Sequence, residues 1–332
     1  MIKEGKKITN LKRIAVFTSG GDAPGMNAAI RGTVRAALYY GLEVYGVKRG
    51  YDGLINGKIK PMNSRSVSNI IHRGGTILKS ARSSEFRTKE GRKKAYNNIK
   101  KLGIDALVAI GGDGTFTGAS LFYEEYGIPT MGIPGTIDND LAGTDFTIGY
   151  DTATNTAVEA IDKIRDTASS HNRLFFIEVM GRDSGFIAVR SAIAAGAEAI
   201  IVPEKYTGVD DLIERLEFGQ KNKKTSSLVV VAEGSVEGGA FELAQQVKKR
   251  FDYETKVTIL GHIQRGGTPT VADRVLAGRM GVAAVQGLLA GKIDSMVGII
   301  HNQITYTPIA EALKMDREIN ESVWETAKIL AT

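Results

Sequence analysis

Two carboxylates separated by one residue, Asp138 and Asp140, close the segment Pro134-Gly135-Thr136-Ile137-Asp138-Asn139-Asp140. One such carboxylate can take a proton from an attacking hydroxyl while the other helps hold a divalent cation. The segment follows the short apolar run Thr130–Ile133, which reads as a buried strand. The pair therefore falls at the carboxyl end of a strand, where open α/β sheets bind ligands. Upstream, the apolar run Ala106–Ile110 ends in Gly111-Gly112-Asp113-Gly114-Thr115. An earlier run ends in Thr18-Ser19-Gly20-Gly21-Asp22, just before a helical pattern from Met26. Glycines at such turns let backbone N–H groups approach a phosphate, and a helix N-terminus adds partial positive charge. An Asp beside phosphate-binding glycines makes sense if Mg²⁺ neutralises both. No G-x-x-x-x-G-K-[ST] segment occurs, which excludes a P-loop.

Positioning these loops takes a set of strands. The pattern predicts them at Arg13–Thr18, Val44–Lys48, Ala106–Ile110, Thr130–Ile133, Arg173–Val179, Ala199–Val202, Ser227–Ala232, Lys256–Leu260 and Met296–Ile300. Helical stretches separate most of them, including Met26–Tyr40, Thr152–Ser170, Gly185–Ala195, Phe241–Phe251 and Asp273–Leu289. Such alternation predicts mostly parallel sheets with helices on both faces. The two halves repeat the strand-loop-helix theme. The expected fold class is α/β, with two similar Rossmann-like three-layer domains facing each other across an active-site cleft. No proline- or serine-rich linker marks a boundary.

The string Pro134–Asp140 resembles the catalytic loop of the 6-phosphofructokinases. Four further strings resemble that family's blocks and occur in its order: Thr18–Asn27, Gly111–Thr115, Met180-Gly181-Arg182, and Gly261-His262-Ile263-Gln264-Arg265-Gly266-Gly267. Diacylglycerol and NAD kinases carry a string similar to Gly111–Thr115, but not the Thr136–Asp140 block. The resemblance implies transfer of the γ-phosphoryl of Mg-ATP to the 1-hydroxyl of fructose 6-phosphate. It also implies discontinuous domains. Residues 13–148 with 263–313 would bind ATP, residues 149–262 with 314–332 the sugar phosphate, and residues 1–12 would be a mobile extension.

Residue by residue, the resemblance implies that Asp138 is the general base and that Asp140 supports the metal with Asp113. Gly20, Gly21, Arg82, Ser83, Gly112, Gly114 and Thr115 would contact ATP, with Arg82 offsetting charge on the transferring group. Thr136, Ile137, Met180, Gly181, Arg182, Glu233, His262, Ile263, Gln264 and Arg265 would surround the sugar phosphate. Arg182 would also serve catalysis, and Thr136 would hydrogen-bond the sugar. Arg173 and Lys256 would reach the sugar phosphate of a neighbouring subunit, which makes the expected unit a homo-oligomer, a tetramer. Lys256 departs from the family's usual Arg and loses the bidentate fork. Pyrophosphate-using relatives typically carry Asp where this chain has Gly114 and Lys where it has Gly135, so both glycines imply ATP.

The resemblance also implies an ADP or phosphoenolpyruvate effector at a subunit interface, with Arg31, Arg35, Arg165, Gly196, Glu198, Lys224, Thr225 and Ser226 at the matching positions. Arg31 and Arg35 share a helix face by their spacing. A usual effector-site arginine falls on Ser64, beside Arg65, and a usual basic residue falls on Asn222, between Lys221 and Lys223.

The chain has 332 residues, enough for two α/β domains, and 42% apolar and 24% charged residues suit a globular protein. No apolar run reaches membrane-span length and no secretory signal opens the chain, so a cytoplasmic enzyme without a membrane partner is expected. The absence of cysteine excludes disulfides and thiolate chemistry. A net charge of +6, dispersed, gives no case for nucleic acid. Three rival readings stay open at this stage: a pyrophosphate-dependent phosphofructokinase, another kinase of the G-G-D-G type, and a non-catalytic effector-binding subunit.

Overall fold

A computed structural model describes residues 11–169, 173–221, 227–250 and 254–331. The first part of the chain runs β1 (Arg13–Thr18), α1 (Met26–Tyr39), β2 (Glu43–Val47), α2 (Gly50–Ile55), β3 (Ile59–Met62), α3 (Lys89–Lys101), β4 (Ala106–Gly111), α4 (Asp113–Tyr126) and β5 (Thr130–Pro134). It continues with α5 (Tyr150–Ser169), β6 (Leu174–Val179), α6 (Phe186–Ala195), β7 (Ala199–Ile201), α7 (Val209–Lys221), β8 (Ser227–Ala232), α8 (Gly239–Lys248) and β9 (Thr255–Ile259). The last elements are α9 (Val271–Leu289), β10 (Ser295–Ile300), β11 (Gln303–Pro308), α10 (Ile309–Ala312) and α11 (Glu321–Leu330).

These elements form two compact units, each discontinuous in sequence. The first holds residues up to Ile137, Leu141–Asp151 and Arg265–Asp316; the second holds Asp138–Asp140, Thr152–Gln264 and the segment from Arg317. Two of the candidate strings are cut by this division, one after Ile137 and the other after Gln264.

The first unit carries a seven-stranded sheet in the order β11-β10-β5-β4-β1-β2-β3. Its inner pairings are parallel, and the two edge strands β3 and β11 pair antiparallel. The strands β1, β4 and β5 are almost wholly buried, as near-continuous apolar runs covered on both faces must be. From β1 the chain builds outward first to β2, then on the other side to β4 and β5. The strand order therefore reverses between β1 and β4, whose carboxyl ends carry the two glycine loops. Phe17, Leu107, Phe122 and Ile99 form part of the core beneath them. Burying a side chain of that size stabilises by roughly 1.5–3 kcal/mol.

The second unit carries a four-stranded parallel sheet, β7-β8-β6-β9. Its core gathers Phe176, Val229, Val231, Leu212, Leu216 and Leu243 from the strands and from α7 and α8. The expected strands are present to within a residue or two. The two edge strands of the first sheet escape the apolar-run reading: Ile59-Lys60-Pro61-Met62 contains a proline and a lysine, and Gln303–Pro308 is largely polar. Proline is tolerated at an edge, where its missing N–H breaks no ladder. One sheet is wide and mixed, the other narrow and all parallel.

Candidate active site

In the first unit, the loops after β1, β4 and β5 leave the same edge of adjacent parallel strands. The Gly111 carbonyl accepts from Gly135 N–H at 2.9 Å, and the Ile110 carbonyl accepts from Ser19 N–H at 3.0 Å. A Cβ on Gly111 would lie 2.3 Å from Thr115 Oγ1 and 2.6 Å from the Ser19 carbonyl, so only glycine permits this approach. Asp113 is exposed in the first turn of α4, where a carboxylate complements the helix dipole. The Tyr51 hydroxyl donates to the Thr115 carbonyl and anchors that turn. Thr115 Oγ1 is buried and has no hydrogen-bond partner among the described residues. Around Gly114 there is open space, whereas a Cβ on Gly135 would meet Ile110 Cγ2 at 3.0 Å and Met26 Cε at 3.2 Å.

Thr136 and Ile137 end the first unit's share of the β5 loop. The Thr136 carbonyl accepts from Thr147 Oγ1 at 2.6 Å, and Ile137 is fully buried. Arg82 is exposed, and Ser83 Oγ accepts from Phe86 N–H at 3.2 Å. Arg265, assigned by resemblance to the sugar phosphate, belongs to this unit. Its Nη1 donates to the Asp22 carbonyl at 3.2 Å, which lays the guanidinium against Gly21.

In the second unit, the carboxyl ends of β8, β6 and β9 are neighbours, and the remaining candidates gather there. After β6, Met180-Gly181-Arg182 makes a strained turn, with φ of 150° at Gly181 and 53° at Arg182. A Cβ on Gly181 would lie 2.4 Å from the Ser184 carbonyl. Glu233, just past β8, accepts from Arg182 N–H at 2.9 Å and Gly181 N–H at 3.4 Å. Gln264, fully buried past β9, accepts from Met180 N–H at 3.4 Å and donates to the Gly261 carbonyl at 3.1 Å. His262 and Ile263, beside it in the same 3-10 turn, are exposed. Asp138 is 3% exposed, Asn139 is buried with φ of 56°, and Asp140 is half-buried.

Arg173 and Lys256 lie at the opposite, amino end of this sheet. A strand of the six residues of β6 spans about 20 Å, so these cations stand well away from the Met180–Arg182 turn of their own chain. Between them is Glu254, which the sequence reading passed over. Its carboxylate takes Arg173 Nε at 2.9 Å and Lys256 Nζ at 2.9 Å. Those hydrogen bonds, Lys256's first and Arg173's next, pull the Glu254 carboxyl down to about 2. No local motif marks Glu254; the parallel register of β6 and β9 brings it there. Ser184 was missed as well, and it links two of the candidate strings by its hydroxyl.

The effector candidates divide by unit. Arg31 and Arg35 lie on α1, Arg35 exposed and Arg31 half-buried. In the second unit Arg165 donates to the carbonyls of Ala195 and Gly196, the latter at 2.8 Å. Glu198 is committed to the Leu228 N–H at 2.7 Å. Ser64 and Arg65 open a 3-10 turn capped by Asn63. Lys224, Thr225 and Ser226, with Asn222 and Lys223, lie outside the described residues.

A family model described as Phosphofructokinase matches residues 13–288. The chain is 59% identical over 321 residues to the ATP-dependent 6-phosphofructokinase of Cytophaga hutchinsonii, covering 96% of this chain and 98% of that one. It is 56% identical over 322 residues to the ATP-dependent 6-phosphofructokinase 2 of Bacteroides thetaiotaomicron, covering 97% and 99%. Among solved structures, phosphofructokinase from Saccharomyces cerevisiae superposes with a TM-score of 0.88 at 37% identity, over 96% of this chain and 48% of that one. A pyrophosphate-dependent phosphofructokinase from Marinobacter aquaeolei, with a TM-score of 0.83 at 22% identity over 96% of this chain and 91% of that one, shares the fold. With the motif strings, their placement at strand carboxyl ends and these full-length likenesses together, the chain belongs to the phosphofructokinase family.

Proposed function

We propose that this chain is an ATP-dependent 6-phosphofructokinase, which transfers the γ-phosphoryl of Mg-ATP to the 1-hydroxyl of fructose 6-phosphate in glycolysis, in the cytoplasm. The products are fructose 1,6-bisphosphate and ADP. The observation that carries this reading is the likeness, over almost the full length of both chains, to relatives named for that activity. Gly114 and Gly135 support the donor: an Asp at Gly114 would put a carboxylate into the open space beside the α4 N-terminus.

Asp138 accepts the proton of the sugar hydroxyl as its oxygen attacks the γ-phosphorus. The glycine loops after β1 and β4 hold the phosphates through backbone N–H groups and the helix N-termini. A buried hydroxyl without a partner costs about 1–3 kcal/mol, and a nucleotide phosphate oxygen accepting from Thr115 Oγ1 would offset that cost. Arg82 and Arg182 offset the charge of the transferring group. Asp113 and Asp140 would hold Mg²⁺, a hard cation suited to carboxylate oxygens, and the exposure of Asp113 in the first turn of α4 fits that role. When bound, the metal supplies charge neutralisation across the donor's phosphates.

The working unit is an oligomer, a homotetramer. The placement of Arg173 and Lys256 at the amino end of β6 and β9 supports it, since they can serve a neighbour's sugar phosphate better than their own chain's. ADP or phosphoenolpyruvate acts as effector at a subunit interface, with Arg31, Arg35 and Arg165 among its contacts. The deciding experiment is a turnover assay with fructose 6-phosphate and either donor. Strong activity with ATP and negligible activity with pyrophosphate are expected. Gly114→Asp, which has room to fold, is expected to raise the KM for ATP at least about tenfold by like-charge repulsion. Comparable rates with both donors would overturn the ATP assignment.

A further inference from the structure

We propose that Ser184 is a positioning residue for phosphoryl transfer, its hydroxyl fixing the Asp138 loop against the turn that carries Arg182. Ser184 is 7% exposed, and its Oγ lies 3.0 Å from the Asp138 carbonyl oxygen and 2.9 Å from the Gly181 carbonyl oxygen. One hydroxyl proton is thus shared between two loops that are distant in sequence. The Gly181 carbonyl does not depend on it, because the Ser184 N–H already donates there at 2.9 Å and closes the turn. The link to Asp138 is therefore what the side chain adds.

The link joins two loops whose backbones are unusual. Asn139, next to the base, and Arg182 each adopt a left-handed backbone without being glycine, at φ of 56° and 53°. Conformations of that kind persist when surrounding contacts over-determine them. Glu233 and Gln264 hold the Met180–Arg182 turn from β8 and β9. Ser184 extends that frame to the backbone of Asp138. The candidate phosphate cations Arg173, Lys256, His262 and Arg265 lie off this turn, so the hydroxyl acts on the alignment of base and cation more than on affinity.

The proposal rests on Asp138 being the base. Its test uses the full-length enzyme with Ser184→Ala and the isosteric pair Ser184→Thr and Ser184→Val, which add the same bulk and differ in the hydroxyl. The Ala and Val variants are expected to lose about tenfold in kcat, the worth of one hydrogen bond, with KM for fructose 6-phosphate and ATP changed less than about twofold. The Thr variant is expected to keep near-normal kcat. Equal kcat for Thr and Val, or a loss confined to KM, overturns the proposal. Asp138→Ala, assayed alongside, separates the two claims. Near-normal turnover there removes the base assignment and this proposal together. A silent Thr/Val pair beside an inactive Asp138→Ala removes this proposal alone.

Discussion

Asp138 and Lys256 test chemistry and binding separately. Asp138 is 3% exposed in the loop after β5, where the proposed base would meet the sugar hydroxyl. Asp138→Ala is expected to lower kcat by a factor of roughly 10²–10⁴, with little change in the KM for fructose 6-phosphate. Lys256 is different, because it is remote from its own chain's β6 loop and half exposed beside Glu254. If it holds the sugar phosphate of a neighbour, that contact is equally strong in ground and transition states. Lys256→Ala is then expected to raise the KM about tenfold while kcat moves less, the lower end of what a charge-assisted hydrogen bond is worth. Lys256→Arg restores the fork and is expected to bind at least as tightly. Unchanged saturation curves for both variants would leave Lys256 as a partner of Glu254 only.

At the scale of elements, the glycine loop at the N-terminus of α4 depends on how that helix is held. Arg92 on α3 is 5% exposed and grips Glu125 near the end of α4 through two bonds, at 2.6 and 2.7 Å. Its Nη1 also donates to the Phe86 and Arg87 carbonyls, at 3.0 and 2.8 Å. That pairing raises the guanidinium's pKa and lowers the Glu125 carboxyl's. Arg92→Ala strands a partly buried carboxylate and two carbonyls, and should destabilise by about 3 kcal/mol, read as a lower denaturant midpoint. An unchanged midpoint would show that α4 is held by packing alone. The inner strands were legible because they are continuous apolar runs. The edge strands β3 and β11 were not, because a proline and a lysine interrupt the one and the other is largely polar.

At the scale of the molecule, one placement carries the argument for assembly. The candidate phosphate-binding residues of the second unit divide between the two ends of one sheet, Arg173 and Lys256 at the amino end and Met180, Glu233 and Gln264 at the other. An oligomer whose sites draw on two chains makes a specific demand. Asp138→Ala and Arg173→Ala chains, each poorly active alone, are expected to regain activity when dissociated and reassembled together, since some mixed sites then combine an intact base with an intact cation. No recovery in hybrids that light scattering shows to be mixed would refute shared sites. So would full activity in a monomer.

Much of the candidate site was readable in the sequence because its chemistry sits in unbroken strings at strand ends, where order along the chain and position in the sheet coincide. Asp138, Asp113 and the glycine loops are of this kind. Arg265 was readable as a site candidate but not as a neighbour of Gly21, since a loop's contacts are set by the fold that returns it to β1. Glu254 and Ser184 were invisible. Each reaches one partner tens of residues away, Arg173 for Glu254 and the Asp138 carbonyl for Ser184, and a single Glu or Ser carries no local signal of that partner. The parallel register of β6 with β9 places Glu254 between two cations, and the turn after β6 points Ser184 at the β5 loop. The sequence by itself nominated the groups for chemistry; only the tertiary structure decided which groups hold them, because a hydrogen bond across that distance exists only once the sheet has formed.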